Sequence, residues 1–144
     1  MQKDDMTMQI KIYNYLHDDV VRIRTDVFVV EQQFKEEFDD IDHQCQHFVF
    51  YEKDEPIAVC RIYPYDEKTY AIGRIAVQAP YRGRGLGSMV VQEAENYIKS
   101  LGYTQVTLSA QVRAKEFYEK LGYTGEGETY FEEYCEHERL WKKI

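Results

Sequence analysis

Apolar and polar residues alternate through Met8-Gln9-Ile10-Lys11-Ile12-Tyr13, the pattern of a half-buried strand. Turn and helix-cap residues fill Asn14–Asp19, and then the period changes. Val20, Ile23, Val27 and Val30 recur at helical spacing with Val21 and Phe28 alongside. They predict a helix from about His17 to about Gln32. Lys35–Asp42 is an acidic connection. His47–Tyr51, Ile57–Tyr63 and Thr69–Val77 read as three consecutive strands. With turns at Glu52–Pro56 and Pro64–Lys68, they predict an antiparallel meander. Leu86, Met89, Val90, Ala94, Tyr97, Ile98 and Leu101 mark one face of a long helix. Gly102 stops it as a left-handed cap. Gln105–Ala110 is a short apolar strand. Val112–Leu121 reads as another helix, stopped by Gly122 in the same way. Tyr123 and Thr124 open a further strand, Gly125–Glu128 is a loop, and Tyr134–Lys142 is a last strand. Met1–Thr7 is polar and reads as loose. The order predicts one α/β domain over residues 1–144 with a mixed sheet. Its right-handed parallel crossover runs through the long helix.

Between the third meander strand and that helix lies Val77-Gln78-Ala79-Pro80-Tyr81-Arg82-Gly83-Arg84-Gly85-Leu86-Gly87-Ser88. A strand, a glycine turn and a helix start direct several backbone N–H groups at one spot. The helix end adds a partial positive charge, so the turn suits a phosphate. Arg82 and Arg84 add mobile positive charge. The other reading is a plain tight turn with a helix cap. Gly83-x-Gly85-x-x-Ser88 lacks the third glycine of a dinucleotide fingerprint, and no lysine completes a Walker loop.

Composition narrows the partners. There are 26 acidic against 18 basic residues, a net charge of −8. That argues against nucleic acid, which calls for a basic stripe. It favours a cationic co-substrate by steering, although acidity is also ordinary solubility chemistry. Cys45, Cys60 and Cys135 form no Cys-x-x-Cys pair, so a disulfide framework is not expected and a reducing, cytoplasmic setting fits. No apolar run approaches membrane-spanning length, and no signal peptide is evident.

Arg82-x-x-Gly85-x-Gly87, preceded by Ile72-Gly73-Arg74-Ile75-Ala76-Val77, resembles the acyl-CoA pyrophosphate motif of the GNAT N-acetyltransferase superfamily. Phe117-Tyr118-Glu119-Lys120-Leu121-Gly122-Tyr123 resembles its second hallmark. Val27–Gln32, Glu37-x-Asp39-x-x-Asp42, His47, Ala110-Gln111-x-x-Ala114, Glu133 and His137 are similar to the ElaA/YjcF-like subgroup. The chain departs from that subgroup at Cys135-Glu136, where Ile-Pro is usual, and at Leu140, where methionine is usual. The resemblance implies a mostly antiparallel central sheet flanked by helices and splayed between the fourth and fifth strands. It implies acetyl-CoA as co-substrate and transfer of the acetyl group to a primary amine. A non-catalytic acyl-CoA-binding module on the same scaffold is the competing expectation.

The same resemblance implies the site residues. N–H groups from Arg82, Gly83, Arg84, Gly85, Leu86, Gly87 and Ser88 cradle the pyrophosphate. The backbone of Ile75 and Val77 meets the pantetheine arm, and the N–H near Val77 polarises the thioester carbonyl. Tyr118 donates a proton to the leaving thiolate, as a phenol that stays protonated at neutral pH can. Gln111 either meets the pantetheine or orders the helix start. Glu31, His47 and His137 are candidates for the acceptor site and for the base that frees the amine. The acidic Glu37–Asp42 segment points toward a cationic acceptor, small molecule or protein. His43, Cys45 and His47 with Asp39 and Asp42 have strand spacing for a metal cluster, but the ligand set is incomplete and no metal is expected. The chain is expected to be a monomer or a homodimer.

Overall fold

The computed structural model describes residues 8–144, so the loose segment expected over Met1–Thr7 lies outside the described residues. Seven strands form one sheet in the order β1-β2-β3-β4-β5-β7-β6. They are β1 (Met8–Tyr13), β2 (Gln46–Glu52), β3 (Glu55–Pro64), β4 (Thr69–Val77), β5 (Gln105–Gln111), β6 (Thr124–Glu132) and β7 (Cys135–Lys143). Every pairing is antiparallel except β4 with β5. That parallel pair holds only at Thr69–Ala71 against Gln105–Thr107, and beyond Ala71 the two strands part. This is the splay that the sequence resemblance implies.

Both sheet faces are covered, which is why β2 and β3 read as near-continuous apolar runs. Phe48, Phe50, Ile62 and Leu108 pack under α2 (Leu86–Ser100) and α3 (Lys115–Lys120). Val49, Tyr51, Val59 and Ala76 meet Val20, Ile23 and Val27 on the other face. The β2–β3 hairpin is tighter than Glu52–Pro56. Only Lys53 and Asp54 make the turn, both at positive φ (50° and 69°), while Glu52 already pairs with Glu55. Such a turn matches the twist of the strands it joins.

Three expectations change. The first helix is α-helical only over Asp18–Arg24 (α1) and continues as a π-helix over Thr25–Glu31. Wider turns rotate each residue by a smaller angle. The 3.6-residue period therefore misplaces Val30, which is 63% exposed. The second late helix is a 3₁₀ turn at Val112–Ala114 followed by the short α3. Gly125–Glu128 is not a free loop but a bulge inside β6. Gly125 faces Leu140 and Thr129 faces Glu138, so the intervening residues outnumber those on β7. Gly127 N–H donates to Glu138 Oε2 there (3.0 Å).

The acidic connection is the largest correction. Its carboxylates do not face solvent as a group. Glu37 and Asp42 are buried, and they meet Arg24 from α1, Arg61 from β3 and Arg74 from β4. Arg24 donates to Glu37 Oε2 (2.8 Å) and to both Asp42 oxygens (2.7 and 3.2 Å). Arg61 donates to Asp42 (2.8 Å) and to Asp39 (2.7 and 3.0 Å). Three guanidinium groups offset Glu37, Asp39 and Asp42, so most of this segment's negative charge is spent inside the protein, while Glu36 and Asp40 stay exposed and without an ion-pair partner among the described residues. Burial works against ionisation of Asp42, but hydrogen bonds from Arg24 and the Asp39 N–H, with the charges of Arg24 and Arg61, hold its carboxyl far below the ordinary range. Glu37 goes the other way: burial outweighs its arginines and raises it.

Candidate functional site

The glycine turn begins where β4 ends. A 3₁₀ turn over Ala79–Tyr81 redirects the chain, and Gly83 (φ 82°) and Gly85 (φ 75°) occupy the left-handed region. Gly85 is the residue before α2, and a side chain there would be strained. Gly87 serves differently. A Cβ at this position would stand 3.2 Å from Phe117 Cζ. Small size at Gly87 lets the first turn of α2 press against α3, so the two sequence hallmarks touch.

Arg82 and Arg84 each meet a carboxylate. Arg82 reaches Glu31 with two hydrogen bonds (2.6 and 2.8 Å), and its Nε donates to the Val77 carbonyl (2.9 Å). The bond from Arg82 lowers the Glu31 carboxyl below its ordinary range. Glu31 thus closes over the turn instead of pointing alone at an acceptor. Arg84 pairs with Glu52 (3.2 and 3.4 Å) and lies over the Tyr81 ring.

β4 carries its own irregularity beside the splay. Val59 pairs with Ala76 and Arg61 with Gly73, so β4 spends one residue more than β3 between them. Arg74 (φ 51°) and Ile75 therefore lie in a bulge. Its positive φ is held by Arg74 donating to Glu37 Oε2 (2.9 Å) and the Glu37 carbonyl (2.9 Å). Further along, Gln78 N–H donates to the Ile57 carbonyl in β3 (2.9 Å). Strand alternation then turns the Val77 N–H the other way, toward the gap left by β5.

A cavity of about 590 Å³ opens at this gap. Ile72–Ile75 of β4, Leu108, Ser109 and Gln111 of β5 and Tyr118 of α3 line it, together with Glu132, His137 and Arg139. Tyr118 is buried, against Phe117 and Tyr123 at ring distances of 5.0 and 6.1 Å. Burial, with Cys60 nearby, pushes its phenol up to about 12. Among the described residues its hydroxyl has no hydrogen-bond partner, which leaves it available to the cavity. Gln111 ties the end of β5 to the first helix, donating to Gln32 Oε1 (2.9 Å) and accepting from Arg113 Nε (2.7 Å).

The two histidines separate. His47 is fully buried and does not line the cavity. Its Nε2 meets the Asp42 carbonyl (3.0 Å) and Cys45 Sγ (3.4 Å), behind the arginine–carboxylate cluster. It is a packing histidine and not part of the acceptor site. The group Asp42, Cys45 and His47 brings three ligand types within 4.8 Å. Both Asp42 oxygens are already committed to Arg24, and one also to Arg61, and two guanidinium charges beside the group oppose a cation. His137 does line the cavity. Its Nδ1 donates to the Cys135 carbonyl (3.0 Å), so Nε2 is the free lone pair, 3.8 Å from Glu132 Oε1.

Sequence reading missed Ser109, Tyr130, Glu132 and Arg139. Ser109 contacts the Tyr130 hydroxyl and donates to Glu132 Oε2 (3.0 Å), and Tyr130 lies parallel to His137. The available signal was polar alternation: Thr107, Ser109 and Gln111 on β5, and His137 and Arg139 on β7. It acquires meaning only with the register that sets Ser109 opposite Arg139 and Gln111 opposite His137.

This geometry agrees with known proteins. The profile of the Acetyltransferase (GNAT) family matches residues 11–123. The uncharacterized protein YyaT of Bacillus subtilis is 35% identical over 136 residues, covering 90% of this chain and 89% of that protein. The uncharacterized N-acetyltransferase YjcF of the same organism is 30% identical over 107 residues, covering 73% and 76%. The crystal structure of a candidate N-acetyltransferase from Lactobacillus plantarum superposes with a TM-score of 0.88 at 28% identity, over 96% of this chain and 99% of that one. Splayed strands, glycine turn and a profile match spanning most of the described residues lead to one assignment: the chain belongs to the GNAT acetyltransferase family.

Proposed function

We propose that the chain transfers the acetyl group of acetyl-CoA to a primary amine by direct attack in a ternary complex. The observation that carries this reading is the cavity at the splay, which places the Tyr118 phenol beside the unpaired stretch of β4. The glycine turn would take the diphosphate on N–H groups from Arg82 to Ser88. The pantetheine would lie along Ile75 and Val77. An N–H of this stretch would donate to the thioester carbonyl oxygen as charge develops, a contribution of about 3 kcal/mol in comparable sites. The amine nitrogen attacks the carbonyl carbon, the C–S bond breaks, and the thiolate takes the Tyr118 proton. Of the three candidate bases, Glu31 is paired with Arg82 and His47 is sealed away. His137 Nε2 is left to accept the amine proton, its tautomer fixed by the Cys135 carbonyl.

No described helix is long and apolar enough to cross a membrane, and Cys45, Cys60 and Cys135 are all free thiols. The free thiols support a reducing, cytoplasmic compartment.

Gly85→Asp and Gly87→Asp test the donor half. Each sets a carboxylate against the diphosphate, one also at a positive φ and the other also against Phe117. Like charges in contact cost several kcal/mol, so acetyl-CoA affinity by calorimetry should fall about a hundredfold. Undiminished binding in both variants would remove the turn as the cofactor site.

A further inference from the structure

Six of the eight arginines hold a carboxylate: Arg22, Arg24, Arg61, Arg74, Arg82 and Arg84. Among the described residues Arg113 and Arg139 have none, and Arg139 lines the cavity. Its guanidinium lies over the Tyr65 ring at 4.9 Å, and its Nη1 donates to Thr107 Oγ1 (3.2 Å). Thr107 is itself fixed by donating to the Leu140 carbonyl (2.9 Å). Ring and hydroxyl therefore set the orientation of Arg139 while most of its five N–H groups are left for a ligand. A half-buried guanidinium without a counter-charge is an unfinished pair, and its planar fork matches a carboxylate.

We propose that Arg139 anchors a carboxylate of the acceptor, so that the acceptor is an amine carrying a carboxylate, an amino acid in the broad sense. The proposal rests on reading the cavity as the acceptor site. The diphosphate of the donor does not satisfy Arg139. Thr107 is level with Ala71, whereas the glycine turn begins beyond Val77, about 20 Å along β4 at ~3.3 Å per residue. The other pole of the acceptor lies two residues away on the same face of β7. His137 Nε2 and the Glu132 carboxylate stand there, nearer the open end of the splay. The two-residue step separates the Cα atoms of His137 and Arg139 by roughly 7 Å along the strand, and the Arg139 guanidinium reaches further from His137, toward Thr107. An acceptor with its amine at His137 and its carboxylate at Arg139 spans at least that distance with its contacts, as the two ends of a lysine can.

The test has a binding arm and a turnover arm. Benzoate, a carboxylate with no amine, is titrated into the protein while the Arg139 Nε–Hε resonance is followed by NMR; benzamide is the neutral control. A saturable shift with benzoate alone, lost from neighbouring resonances in Arg139→Gln, is the expected result. No saturable shift, or identical benzoate binding in Arg139→Gln, overturns the proposal even where that variant folds poorly, because the wild-type titration stands by itself. In the turnover arm, lysine is compared with cadaverine, and glycine with glycinamide. Arg139→Gln should lower kcat/KM for the carboxylated member about ten- to a hundredfold and spare its partner. Equal use of both members by the wild type contradicts the proposal. Benzoate binding at Arg139 without any acetyl transfer would sink the transferase reading and leave the carboxylate site standing. Transfer without carboxylate preference would do the reverse.

Discussion

Tyr118→Phe should lower acetyl transfer about 10²- to 10³-fold, the usual contribution of one positioned proton donor, with acetyl-CoA affinity unchanged. The substitution removes one oxygen and keeps the ring that packs on Phe117 and Tyr123. Fold and cofactor channel should therefore persist. Single-turnover kinetics beside calorimetry separate the two effects. The pH profile adds a second signature. With the phenol pushed up to about 12 by burial, wild-type turnover should show no alkaline loss from Tyr118 through the neutral and mildly basic range. An unchanged rate in the variant would mean that water, not Tyr118, protonates the thiolate.

Asp42→Ala should cost about 3–5 kcal/mol of stability, because it strands Arg24 and Arg61 as buried charges without their shared partner. A domain with about 5–15 kcal/mol in hand loses much of it. The urea midpoint reads this directly. The sign of the pH dependence follows from the depressed Asp42 carboxyl. Its contribution is complete above the ordinary aspartate range and is lost as pH falls below about 4. Glu37, raised by burial, acts with the opposite sign and at higher pH, its penalty being relieved before Asp42 begins to protonate. Asp42→Ala should flatten the acid limb of the stability curve. A variant as acid-sensitive as the wild type would place the sensitivity elsewhere.

These carboxylates show where the sequence was legible and where it was not. Alternation located β1 and apolar runs located β2 through β5 within a residue or two. Strands β2 to β5 are buried against helices, whereas β1 lies at the sheet edge with Ile10 and Ile12 each 38% exposed, so it is not the half-buried strand its pattern predicts. Gly102 and Gly122 marked two helix ends because a positive φ leaves few other choices. The glycine turn and Phe117-Tyr118 were readable as motifs, but their contact through Gly87 was not. A π-helix leaves no simple period, so Val30 was misplaced. Glu37, Asp39 and Asp42 looked like a solvated acidic loop because their partners Arg24, Arg61 and Arg74 are 13 to 37 positions away in sequence. His47 and His137 looked alike for the same reason. Only strand register puts one behind the ion cluster and the other in the cavity. Arg139 became notable once the other arginines were seen to be paired.

Acetyl transfer from acetyl-CoA to an amine leaves two products that can be counted together. The most direct measurement incubates the purified protein with acetyl-CoA and a panel of amino acids, polyamines, aminosugars and lysine peptides. It quantifies free CoA and N-acetylated product together by mass spectrometry. CoA and acetylated amine are expected in equal amounts for at least one acceptor, with both lost in Gly85→Asp. Tight acetyl-CoA binding with no acetylated amine across the whole panel would contradict acetyl transfer and identify the chain as a non-catalytic acyl-CoA-binding module.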